Sequence, residues 1–104
     1  MDITEQSLDD FHRHACNAAE FLKAISHEGR LMILCHLATG EKSVSELETL
    51  LSARQAAVSQ QLSRLRQEGL VTPRREGKII YYRLTDERTR RMLSVVYDLF
   101  CHSA

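Results

Sequence analysis

Apolar residues recur at three- and four-residue steps over the first quarter of the chain: Leu8, Phe11, Ala15, Ala18, Ala19 and Leu22. That spacing lines one side of a helix and predicts a helix over residues 5–25. Ser26-His27-Glu28-Gly29 interrupts it, and a second helix is expected from Arg30 to Ala38, with Leu31, Leu34, Cys35 and Ala38 on one face and Gly40 at its end. Ser43-Val44-Ser45-Glu46 has the form of a capping box, in which serine and glutamate satisfy each other's free amides. It predicts a short third helix with Val44, Leu47, Leu50 and Leu51 inward. After a turn at Ser52-Ala53, residues 54–68 form a fourth helix with the stripe Val58, Leu62, Leu65, ended by Gly69. Its opposite side carries Ala56, Ser59, Gln60, Ser63 and Gln67, all short or amide side chains. The period then becomes two: residues 71–75 and 78–84 read as strands joined by Glu76-Gly77, with Ile79-Ile80-Tyr81-Tyr82 β-branched and aromatic. Thr85-Asp86 opens a last helix, 86–101, with Met92, Leu93, Val96, Leu99 and Phe100 apolar over a wide arc.

Helix, helix, helix, helix, strand, strand, helix predicts a mainly α fold with a two-stranded β wing, a winged helix-turn-helix. The 104 residues suffice for one such domain over 1–104, with 54–68 as recognition helix and 71–84 as wing. The helices at 5–25 and 86–101 exceed what a winged domain needs, and their apolar stripes are wider than one neighbour covers. A homodimer built on 8–22 and 92–100 would cover them and relate two recognition helices by a two-fold axis. Packing of these helices within one chain is the alternative.

Composition changes this picture little, at 43% hydrophobic and 27% charged residues. No apolar run is long enough to span a bilayer, and the acidic, polar Met1–Glu5 does not fit a secretory signal. A cytoplasmic protein without a membrane partner is expected. Charge matters more. The net charge is zero, yet residues 54–91 carry ten basic and four acidic groups, and residues 1–53 carry four basic and nine acidic. A chain so polarised can present a basic face to phosphate. A merely solvated charged surface is the alternative.

Double-stranded DNA fits this face. Gln55 and Gln60 carry amides able to pair with adenine, Ala56, Ser59 and Ser63 allow close approach, and Arg54 suits guanine or phosphate. Arg64 and Arg66 suit backbone phosphates, and Arg74, Arg75 and Lys78 sit near the hairpin tip to reach a flanking backbone. A two-fold protein implies a palindromic operator. No Gly-rich phosphate loop, nucleophile elbow or acid–base cluster supports an enzyme, and no cofactor is implied.

The segments Ser26-His27-Glu28-Gly29-Arg30-Leu31, Val58–Arg66, Glu68-Gly69-Leu70-Val71, Arg74-Arg75-Glu76-Gly77-Lys78 and Tyr81-Tyr82-Arg83-Leu84 resemble the ArsR family of metal- and redox-responsive repressors. The chain departs from it in having Glu28 where proline is usual and Arg54 where serine is frequent, the latter weakening a helix N-cap. The family's arsenic and cadmium sensors have cysteines where Ser43, Ser45 and Glu48 stand, and its zinc sensors a histidine that Asp86-Glu87-Arg88 lacks; the resemblance implies neither metal site. Cys35 on the second helix and Cys101 near the end of the last are similar to the sulfide- and persulfide-responsive subgroup. There the two thiols become joined by a disulfide or polysulfide and the repressor leaves DNA, so reactive sulfur species are the implied effector. Spacing alone favours reading Cys35 as a core residue beside Leu31 and Leu34, and the resemblance reverses that. Cys16 has no partner in this pattern. Two alternatives stay open: a metal-responsive repressor using His12, His14, Cys16, His27, His36 and His102 atypically, and a winged-helix protein with no sensing function.

Overall fold

The computed structural model describes residues 3–101, apart from the Gln55 side chain. Helix α1 (Glu5–Ile25) begins at a capping box in which the Ser7 amide donates to Thr4 Oγ1 (3.1 Å) and the Thr4 amide to Ser7 Oγ (2.7 Å). Helix α2 (Glu28–Ala38) starts two residues earlier than expected, because His27 caps it: its Nδ1 accepts from the Gly29 and Arg30 amides. A two-residue strand β1 (Lys42–Ser43) leads into α3 (Val44–Leu51), whose N-terminus is the expected Ser43–Glu46 box. Ser52 turns the chain with φ 52°, and α4 (Gln55–Gln67) follows.

Helix α4 ends in a Schellman motif. The Gly69 amide donates to Arg66 O and the Leu70 amide to Leu65 O, both at 2.9 Å, while Gly69 takes φ +75°. Leu65 and Leu70 are both buried, the apolar contact that usually accompanies this cap. Strands β2 (Val71–Glu76) and β3 (Ile79–Leu84) then pair from Val71↔Leu84 to Glu76↔Ile79. The turn is therefore Gly77-Lys78, one residue later than the pattern suggested. Of these two residues Gly77 alone has positive φ, as a type II′ hairpin requires at its first loop position. Helix α5 (Glu87–Phe100) is capped by Asp86.

The wing is part of a larger sheet. β1 pairs with β3, giving a three-stranded antiparallel sheet of order β1-β3-β2 where two strands were expected. The core lies between this sheet and α2–α4: Ile33, Leu34, Leu37, Leu47, Val58, Leu62, Leu65 and Leu70 are nearly inaccessible. One expected core position faces out instead: Leu50 is 48% exposed. Cys35, read as a core residue from spacing and as a sensing thiol from the resemblance, is exposed because α2 buries the Ile33-Leu34-Leu37 side.

Helix α1 buries only Ala24 and Ile25 at its last turn, although its 21 residues span about 31 Å. Leu8, Phe11 and Leu22 stay largely exposed on it, as do Val95, Tyr97, Leu99 and Phe100 on α5. The radius of gyration, 15.6 Å, exceeds the roughly 13 Å of a compact chain of this length. No helix among the described residues is long and apolar enough to cross a membrane.

Candidate functional site

Val58, Leu62 and Leu65 fasten α4 to the core, which leaves Ala56, Ser59, Gln60 and Ser63 exposed on the outer side. Arg54 occupies the N-cap with extended backbone (φ −72°, ψ 147°) and no side-chain bond to the helix, so its guanidinium is not used in capping. Gln55 opens the helix, and its side chain lies outside the described residues. A groove of about 300 Å³ runs between α3, α4 and the wing, and Ser45, Ser59, Ser63, Lys78, Ile80 and Tyr82 line it. The fold thus brings the small polar face of α4 and the wing-tip Lys78 to one surface.

The arginines divide. Arg64 is half-buried and pairs with Glu68 one turn later at 3.5 Å, and Arg66 is exposed. Arg75 pairs across the sheet with Ile80, so strand alternation places it on the groove side with Ile80 and Tyr82. Arg74 faces the other way, opposite Tyr81, and is held by Glu41 and Glu76. Sequence reasoning passed over Glu41, because an isolated glutamate in a loop gives no signal until β1 is known to exist. It also passed over Arg30, which donates to Ala24 O (2.6 Å), Lys23 O (3.3 Å) and Gln61 Oε1 (3.5 Å). Arg30 thereby ties the end of α1 to α4.

Cys35 and Cys101 are free, exposed thiols. Cys101 follows the last turn of α5, its amide donating to Tyr97 O at 2.7 Å. α5 packs on α2, and Arg90 donates to Ala38 O between them. Partial desolvation in that packing pushes the Cys35 thiol above its ordinary value, and the charge of Cys101 pushes it further. The two sulfurs are therefore within electrostatic reach of each other. Cys16 is exposed in the middle of α1.

His27 uses Nδ1 in its cap, and His102 lies outside the described residues. Among the described residues no three His, Cys, Asp or Glu side chains are gathered as metal ligands would be.

Known proteins share this arrangement. Residues 27–72 match the profile described as "Bacterial regulatory protein, arsR family". The chain is 45% identical to the biofilm growth-associated repressor of Agrobacterium fabrum, over 97% of this chain and 86% of that one. It is 36% identical to the transcriptional activator HlyU of Vibrio cholerae, over 93% and 90% of the two chains. The crystal structure of the transcriptional repressor BigR from Xylella fastidiosa superposes with a TM-score of 0.83 at 38% identity, covering 97% of this chain and all of that one.

Proposed function

Because the chain belongs to the arsR family of bacterial regulatory proteins, we propose that it is a homodimeric, cytoplasmic operator-binding repressor that leaves DNA when Cys35 and Cys101 are joined by reactive sulfur species. The observation that supports the switch is the placement of the two thiols: both are exposed, Cys35 on α2 and Cys101 just after α5, and these two helices pack together. The reading of repressor, over activator, follows the more similar relative, whose name states that role.

In this reading α4 enters the major groove. Gln55 and Gln60 read bases, Ala56, Ser59 and Ser63 permit close approach, and Arg54 takes guanine or phosphate. Arg64, Arg75 and Lys78 hold the backbone. A dimer through the exposed stripes of α1 and α5 presents two such helices to half-sites roughly 34–36 Å apart.

The chemistry needs no separate oxidant. Cys101, exposed beyond the helix end, attacks the outer sulfur of a persulfide RS–SH; RSH leaves, and Cys101 carries a persulfide. Cys35 then attacks the sulfur bonded to the Cys101 carbon, hydrogen sulfide leaves, and a disulfide closes. Two persulfidated cysteines condensing with loss of hydrogen sulfide give a trisulfide instead. A direct disulfide needs α-carbons within roughly 4.4–6.8 Å, and each added sulfur extends the reach by up to about 2 Å. The raised Cys35 thiol is the poorer nucleophile, which leaves it the second step, where an intramolecular attack offsets its smaller thiolate fraction. A bridge between α2 and α5 moves the dimer helices against the core, and a hundredfold loss of affinity requires only about 2.7 kcal/mol of coupling. The test is operator binding by reduced protein before and after a persulfide donor, peroxide, zinc or arsenite. Release by the donor with an intact reduced complex supports the reading. Release by zinc or arsenite alone favours a metal sensor, and no release by any of them leaves a winged-helix repressor without this switch.

A further inference from the structure

Arg74 looked from its place near the hairpin tip like one more phosphate contact, but its surroundings give it another task. Its guanidinium crosses the whole sheet. From edge strand β2 it passes over the Tyr81 ring on central strand β3, 4.8 Å from the ring centre, and reaches Glu41 just before the other edge strand, β1. Nε lies 3.2 Å from both Glu41 oxygens, Nη2 lies 2.6 Å from Oε1, and Nη1 lies 2.9 Å from Glu76 Oε2. Planar forked contact of this kind is among the stronger charge-assisted pairings, and stacking on an aromatic face adds to it. The hydrogen bonds hold the Glu41 carboxyl below the usual carboxylate range, with Arg74 and Arg83 charges contributing.

What the strap joins is informative. β1 has two residues and runs directly into α3, with Ser43 serving both as its last residue and as the N-cap of that helix. Fixing Glu41 to β2 therefore fixes the hairpin against the first helix of the helix-turn-helix. Two acids, Glu41 and Glu76, already neutralise Arg74, and alternation puts it on the face of the wing opposite Ile80 and Tyr82, which line the groove.

We propose that Arg74 is a positioning residue which, through Glu41 and Tyr81, sets the angle of the wing to the helix-turn-helix, and that it does not hold DNA phosphate. The proposal rests on the operator-binding reading above for its consequence, though not for its geometry.

The two roles give opposite signs for Glu41→Gln. Were Arg74 a phosphate contact, freeing it from Glu41 would strengthen DNA binding and steepen its salt dependence. As a strap, Glu41→Gln and Arg74→Gln should both weaken operator binding by about tenfold, the double variant should be no worse than either alone, and Arg74→Lys should not rescue. The slope of log affinity against log salt should stay unchanged in all of them. Lys78→Ala, losing one phosphate contact per protomer, should flatten that slope by about 1.8. Amide exchange of the free protein separates a failure of this proposal from a failure of DNA binding. Arg74→Gln and Glu41→Gln should each speed exchange at Lys42, Ser43 and Tyr81 about tenfold while leaving α4 protected. Unchanged exchange there, or a salt slope that flattens in Arg74→Gln as in Lys78→Ala, would overturn it. Absence of operator binding by the parent protein, with exchange responding as stated, would overturn only the operator-binding reading.

Discussion

Replacing Phe100 by serine removes the most exposed large apolar side chain on α5. A phenylalanine carries about 150–250 Å² of surface, and 83% of this one is uncovered in the single chain. At about 25 cal/mol per Å², covering it completely against a second copy is worth about 3–5 kcal/mol per protomer. Two-fold symmetry counts the contact twice, so even half coverage leaves about 3–5 kcal/mol per dimer, or about two to four decades in the dimer dissociation constant. The residue touches little of its own chain's core, so the monomer fold should be retained and circular dichroism should be unchanged. Sedimentation equilibrium across a wide concentration range measures the constant directly. Leu22→Ser on α1, at 48% exposure, should shift it in the same direction by a smaller amount. A dimer constant within threefold of the parent's in Phe100→Ser, or a parent chain that is monomeric throughout, refutes the assignment of α5 to the interface.

Four further outcomes follow from the same geometry. Gln60→Ala should lose about 1–3 kcal/mol of discrimination at a single base pair, read by binding to an operator library, and an untouched base preference would remove Gln60 from the reading face. Ser52→Gly should raise stability by up to about 1 kcal/mol in urea melts, since a non-glycine residue at φ 52° is strained. The Glu46 carboxyl is held low by the Ser43 amide and hydroxyl; its contribution is present above the ordinary carboxylate range and is lost as pH falls through the lowered value, so Glu46→Gln should show a flatter acid limb. Alkylation of Cys35 in a Cys16→Ser background should titrate at higher pH than an unhindered thiol, and Cys101→Ser should bring it part of the way back.

The elements that carry strong local chemistry were legible in the sequence. The Ser43–Glu46 box and the Gly69 stop appear where the pattern placed them, because each is fixed by contacts within a few residues, and the two wing strands appear with their turn one residue later than expected. What escaped depended on distant partners. β1 is too short to have a period and exists only because Tyr81 and Tyr82 of β3 offer it a ladder. Helix α2 is apolar on most sides around Leu31-Met32-Ile33-Leu34, so no stripe reveals which face the core takes, and spacing cannot tell that Cys35 faces outward. The small polar side of α4 was readable, since the buried stripe defines its opposite. The division of the wing arginines was not, because it turns on Glu41, 33 residues away from Arg74 along the chain.

The central claim is that joining Cys35 to Cys101 releases the operator. Intact-protein mass spectrometry and operator binding on the same sample, before and after a persulfide donor, test it most directly. The parent protein and Cys16→Ser should lose two thiol hydrogens to an intramolecular bridge, with or without inserted sulfur, and lose affinity in proportion to the bridged fraction. Cys35→Ser and Cys101→Ser should bind the operator when reduced and remain bound after the donor. Normal release by both single serine variants, or a fully bridged parent that still holds the operator, would contradict the account.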